Sequence, residues 1–300
     1  MDQASRLREM VSGKITVRPA SAARQMLGSA ANPEVIAVTS GKGGVGKTTL
    51  SVNLAAVLAA SSRRVLIVDA DLGLSNVDVV LGLRPARHLG HLLLPEYQAE
   101  DVAVEAPGNL VVISGGSGVR ELAEARDAER GVLLDKLADY YGTFDFVVID
   151  TSPGIGRNVT DFLVASSKVL LLTSSEPTSL RDTYAAAKTI SRVIEHQRIW
   201  LIINQVGCES EAEAVFRTLN GVTCRFLGWG FAGWDWIEAE PAFRNSAMDH
   251  RPLVLSHPGS SACRALRRIA NAITSRAGRD NRNAERGGVV NPDEFAVLRT

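Results

Sequence analysis

The sequence predicts an α/β fold: one domain over residues 34–276, with a mostly parallel sheet and helices on both faces. Three observations predict it. Short apolar, β-branched runs recur along the chain, and helical segments separate most of them. The first run ends on a glycine-rich loop that opens directly into a helix. Ser-, Gly- and Pro-rich or polar stretches bound the domain on both sides, which predicts flexible N- and C-terminal tails.

Taken in order, residues 1–11 read as a short N-terminal helix, with Ala4, Leu7 and Val11 at helical spacing and Met10 beside them. Residues 12–33 have linker composition. Val35–Thr39 reads as a strand buried on both faces, and Lys47–Ala60 as the helix after the loop. Further strands are expected at Val65–Asp69, Leu110–Ile113, Phe146–Asp150, Val169–Thr173 and Ile199–Ile203. Helices are expected near 119–140, 178–197 and 209–220. The last is expected at 260–276, where Ala262, Leu266, Ile269, Ala270 and Ile273 form one stripe and Arg264, Arg267 and Arg268 lie off it. The tail, 277–300, turns polar and Gly/Asn/Arg-rich.

The bulk numbers exclude some function classes. With 33 basic and 33 acidic residues the net charge is zero, so no global field draws the chain to nucleic acid. Cys208, Cys224 and Cys263 form no CxxC pair, which argues against a zinc knuckle or an iron–sulfur bridge. They read as buried reduced thiols, in keeping with a cytoplasmic setting. The first thirty residues lack an apolar signal core, and no run of about 18 apolar residues occurs.

The glycine loop carries the chemistry. Gly41, Lys42, Gly43, Gly44, Val45, Gly46, Lys47 and Thr48 satisfy every fixed position of GxxxxGK[ST], with Thr49 next. Glycines let backbone N–H groups turn onto phosphate oxygens, and the helix N-terminus adds positive potential. Lys47 is the candidate for the β- and γ-phosphates, and Thr48 for Mg²⁺. This makes the domain a P-loop NTPase by motif. Asp69 and Asp71 close the second strand, and Asp150 closes the strand 146–150. Ligands of open α/β sheets bind beyond the carboxyl ends of strands, so these acids converge on the loop. Asp150 fits the Walker B role, holding the Mg²⁺ shell. A plain helix-capping role is the alternative for each acid, Asp69 above all.

The second lysine in Lys42-Gly-Gly-Val-Gly-Lys-Thr-Thr49 resembles the deviant Walker A family that includes the MinD and ParA ATPases. The resemblance implies ATP and Mg²⁺ as ligands and an ATP-dependent homodimer. In it Lys42 reaches the partner's phosphates, as an arginine finger does in trans. It also implies that Asp71 positions the attacking water near the metal, and that Asn204, at the end of strand 199–203, hydrogen-bonds the adenine edge. No guanine-reading NKxD motif appears.

Further matches narrow the resemblance. Asp2-Gln-Ala-Ser-Arg-Leu-Arg8 resembles the DQAxxLR opening of the flagellar number regulators of the FlhG or FleN type. Asp69-Ala-Asp-Leu-Gly-Leu-Ser-Asn-Val-Asp78, Gly115-Gly-Ser-Gly118, Glu176-Pro-Thr-Ser179 and Ser261–Arg268 are similar to that subfamily as well. The resemblance implies a slow ATPase switch that sets flagellar number or placement. Its N-terminal helix would activate a signal-recognition-type flagellar GTPase, with Gln3 entering the partner's nucleotide site, Leu7 packing on its surface and Arg8 nearby. Basal-body switch proteins are further implied partners, as is peripheral contact with the inner face of the cell membrane.

The chain departs from the family in two places. Its C-terminal tail lacks the usual amphipathic targeting helix, and the arginine excess of 244–286 reads as a solvated basic face, with a surface for anionic lipid as the alternative. Residues 229–236 hold three of the four tryptophans, read as core packing with an aromatic partner surface as the alternative. Two other functions compete with the flagellar one. One is ParA-like partition of DNA or positioning of another cargo, against which the N-terminal heptad argues. The other is a scaffold that binds nucleotide without hydrolysing it, against which Asp71 and Asp150 argue.

Overall fold

The computed structural model of the protein describes residues 33–60, 62–71, 75–116 and 127–275. The expected N-terminal helix with Gln3, Leu7 and Arg8, the linker 12–32 and the tail 277–300 lie outside the described residues. Eight strands form one sheet: β1 (Glu34–Ser40), β2 (Val65–Ala70), β3 (Val104–Ala106), β4 (Leu110–Ile113), β5 (Phe146–Thr151), β6 (Lys168–Thr173), β7 (Ile199–Val206) and β8 (Gly233–Glu238). The order is β3-β4-β2-β5-β1-β6-β7-β8, parallel throughout except for the β3–β4 pair. β1 lies near the middle, between β5 and β6.

Alternation along each strand builds a core on both faces. Val35 and Ala37 face one way, against α4 (Asp127–Tyr141), α5 (Arg157–Ala165), α6 (Pro177–Ile190) and α7 (Glu209–Leu227). Ile36 and Val38 face the other way, against α1 (Lys47–Ala59), α2 (Val77–Leu81), α9 (Leu253–Ser256) and α10 (Ser261–Thr274). Two short helices, α3 (Ala99–Val102) and α8 (Ala242–Met248), complete the set. The apolar stripe of α10 is buried, so that helix packs on the domain as expected and its apolar face is not available to lipid.

Two local readings need correction, and the core-packing reading of the Trp-rich stretch is borne out. The helix expected near 209–220 is longer: α7 runs on to Leu227 and ends at Gly228 in the left-handed conformation. Asn220 accepts the Phe231 N–H at 3.0 Å, tying the following loop to the helix. Of the three cysteines only Cys263 is buried; Cys208 and Cys224 are exposed. The Trp-rich stretch supplies β8: Trp229 is buried, and Trp234 stacks on Phe216 with ring centroids 4.7 Å apart.

β8 is an edge strand with its own cover. Arg268 of α10 forks onto Asp235 at 2.6–3.1 Å and donates to the Trp236 carbonyl at 2.9 Å. The Trp236 N–H donates to Asp235 at 2.7 Å. At the other edge β3 has three residues, all partly or fully exposed.

Candidate nucleotide-binding site

The loop between β1 and α1 sits on the carboxyl edge of the sheet, where β1 emerges between β5 and β6. Ser40 Oγ donates to the Lys42 carbonyl at 2.7 Å and closes its first turn. Gly46 has φ 93°, in the left-handed region that only glycine enters at low cost. A Cβ there would also stand 2.5 Å from Asn204 Nδ2. Gly41 is fixed by contact instead, since a Cβ would fall 2.2 Å from the Asp182 carbonyl of α6. Gly43 and Gly44 face outward, with open space where a Cβ would be.

The two lysines of the loop have different surroundings. Lys47 opens α1 and is buried, which lowers its pKa against the opposing charges of Asp150 and Asp71. Lys42 lies at the rim, its side chain 37% exposed, and donates to Glu176 at 2.6 Å and Thr178 at 3.1 Å. Glu176 is the N-cap position of α6 and is 64% exposed.

The strand ends bring the acids together. Asp69 and Asp150 stand in register on neighbouring parallel strands. Asp150 accepts from Thr48 Oγ at 2.6 Å and Ser51 Oγ at 2.9 Å. Burial, then the Asp69 charge, pushes its carboxyl up to about 7, against the pull of the two hydroxyls and Lys47. Asp69 accepts from Ser75 Oγ at 2.7 Å and from the N–H groups of Asn76 and Val77 at 3.0 Å, at the start of α2. Burial raises it to about 6. Between the two roles left open for Asp69, the structure shows the capping one. Asp71, half-buried, accepts from Ser152 Oγ at 2.9 Å. Asn204 lies behind the loop and donates to the Val45 carbonyl at 2.8 Å.

The donor set suits a nucleotide with a hard cation. A helix N-terminus, a buried lysine, a hydroxyl and a carboxylate converge, all with nitrogen or oxygen donors. Among the described residues no group of three or more His, Cys, Asp or Glu could hold a metal. Ser51 has one signal in the sequence, its place one helical turn after Lys47 and so on the same face. Glu176, Thr178 and Ser152 have none, because their contacts join segments far apart in the chain.

A family model described as an AAA domain matches residues 33–203. The antiactivator FleN of Pseudomonas aeruginosa is 36% identical over 251 residues, covering 84% of this chain and 90% of that protein. The flagellum site-determining protein YlxH of Helicobacter pylori is 36% identical over 191 residues, 63% of each chain. The solved septum site-determining protein MinD of Pyrococcus horikoshii, complexed with Mg-ADP, has the same fold at a TM-score of 0.68 and 24% identity. The alignment covers 83% of this chain and 99% of that one. With the deviant loop Lys42–Thr49 and a FleN-like sequence along most of its length, the chain belongs to the MinD/ParA family of P-loop ATPases, in its flagellar number regulator subfamily.

Proposed function

We propose that the protein is an ATP-hydrolysing switch that dimerises on ATP and regulates flagellar number or placement. One observation carries this reading: Lys47 is buried among the acids, whereas Lys42 sits at the rim in a pair that exchange can break. An amine so placed suits transfer to a second copy's phosphates. Thr48 and Asp150, with Asp71 close by, would hold Mg²⁺, which supplies charge neutralisation on the phosphates. Lys47 and the loop N–H groups bind the β- and γ-phosphates. Asp71 orients the attacking water. Asn204 has its amide nitrogen on the Val45 carbonyl, so its Oδ1 is the atom to accept the adenine amine, which a guanine lacks at that position. Replacing Asn204 with Ala would then weaken ATP binding and narrow the preference over GTP.

The test is oligomeric state by light scattering with ATP and Mg²⁺. Wild-type protein is expected to be a dimer with ATP and a monomer without nucleotide, and Lys42→Ala to stay monomeric in both. Dimerisation of Lys42→Ala equal to wild type would sink the reading. The flagellar assignment rests on the heptad 2–8 and the FleN-like sequence. A pull-down of the signal-recognition-type GTPase by the full chain, lost on deletion of residues 2–11, would support it; retained capture would remove the N-terminal helix from the interaction. Basal-body switch proteins and the inner membrane surface are further proposed contacts. No helix among the described residues is long and apolar enough to cross a membrane. Of the arginines on α10, Arg268 is paired with Asp235, while Arg264 and Arg267 donate to backbone carbonyls.

A further inference from the structure

We infer that Ser152 is a positioning residue, which fixes the Asp71 carboxylate from the loop that follows β5. The inference rests on the reading of Asp71 as the group that orients the attacking water. Three observations carry it. Ser152 Oγ donates to Asp71 Oδ1 at 2.9 Å, a charge-assisted bond between loops that are 81 residues apart in sequence. The loop that supplies the hydroxyl is pinned on both sides of it. Thr151 Oγ donates to the Val38 carbonyl at 2.9 Å, and the Gly154 N–H donates to the Ser40 carbonyl at 2.8 Å. Both anchors are on β1, at or just before the start of the phosphate loop. Gly154 takes φ 98°, so the turn that brings its N–H to Ser40 is available to glycine and strained for other residues.

The consequence follows from geometry. Asp71 lies beyond the end of β2, and one strand, β5, separates β2 from β1. Its carboxylate therefore needs a reference point in the frame of the phosphates. Ser152 provides one, because the hydroxyl is tied to β1 through its own loop. A carboxylate held by one oxygen turns less about its last torsion, so a water bonded to it is held in line for attack more of the time. Ser152 touches no phosphate and accepts no proton in this role; it acts through Asp71.

The experiment compares wild type, Ser152→Ala, Ser152→Thr and Asp71→Ala. It measures kcat and KM for ATP hydrolysis, affinity for a slowly hydrolysed ATP analogue with Mg²⁺, and melting temperature. Ser152→Ala is expected to lower kcat about tenfold, the effect of one bond to a charged group. KM and analogue affinity stay within about twofold, and Ser152→Thr restores kcat. Melting of each variant shows that it is folded. If Ser152→Ala keeps wild-type kcat while Asp71→Ala loses it, the inference falls and the reading of Asp71 stands. Loss of affinity in step with kcat, or no rescue by Ser152→Thr, also overturns it, since the hydroxyl would then serve structure rather than orientation. If Asp71→Ala keeps wild-type kcat, the reading of Asp71 falls and the inference with it.

Discussion

Asp69 and Asp150 sit in register on neighbouring strands, yet they face different donors. Asp69 takes two backbone N–H groups and a serine hydroxyl that enter α2, and Asp150 takes two hydroxyls of α1. Replacing Asp69 with Ala removes the acceptor of the Asn76 N–H and strands the buried Val77 N–H. It is expected to cost about 3 kcal/mol in chemical denaturation, whereas Asp69→Asn keeps an acceptor and costs less. Both carboxyls hold a proton more tightly folded than unfolded, where an aspartic acid titrates near 3.9. The sign follows: their contribution to stability is full below about pH 4 and is lost as pH rises through about 6 for Asp69 and about 7 for Asp150. Nucleotide-free protein is therefore expected to lose melting temperature between about pH 4 and 7, and Asp150→Asn to flatten that fall. A melting temperature that rises over this interval in wild type would contradict the assignment.

At the scale of elements, α6 and the phosphate loop behave as one unit. The Asp182 carbonyl blocks any side chain at position 41, while Glu176 and Thr178 at the start of α6 hold Lys42. Gly41→Ala is expected to separate loop and helix and to weaken ATP binding at least tenfold in equilibrium titration, with the sheet still folded. Glu176→Gln breaks an exposed ion pair and is expected to change stability by less than about 1 kcal/mol. Much of this was legible in the sequence. The six strand runs and the loop are dense local patterns, and the acids at their ends follow from strand direction. What stayed hidden was short or non-local. β3 has three residues broken by Glu105, so no alternation can register. The register that sets Asp69 beside Asp150, the bond from Ser152 to Asp71 and the hold of Glu176 on Lys42 depend on strand order, and strand order leaves no trace within any one segment. α7 runs past its expected end, and its Asn220 holds the following loop.

For the molecule as a whole, the free edges of the sheet are both dulled. β3 is short and antiparallel, and β8 has the Trp236 peptide groups covered by Asp235 and Arg268. Arg268→Ala leaves Asp235, whose side chain is 9% exposed, without its cation. It is expected to cost about 2 kcal/mol and to raise light scattering on concentration, as the strand edge opens to other chains. Unchanged scattering and melting would show that the edge needs no cover. A relay that counts is only as good as its silence when unasked. With both flanks of the sheet closed to chance pairing, two copies that meet at random find no ready seam along the strands, and the proposed contact through Lys42 has no competitor there. The Asp235–Arg268 pair, 33 residues apart in sequence and remote from any phosphate, would thereby protect the accuracy of the count by suppressing the noise beneath it.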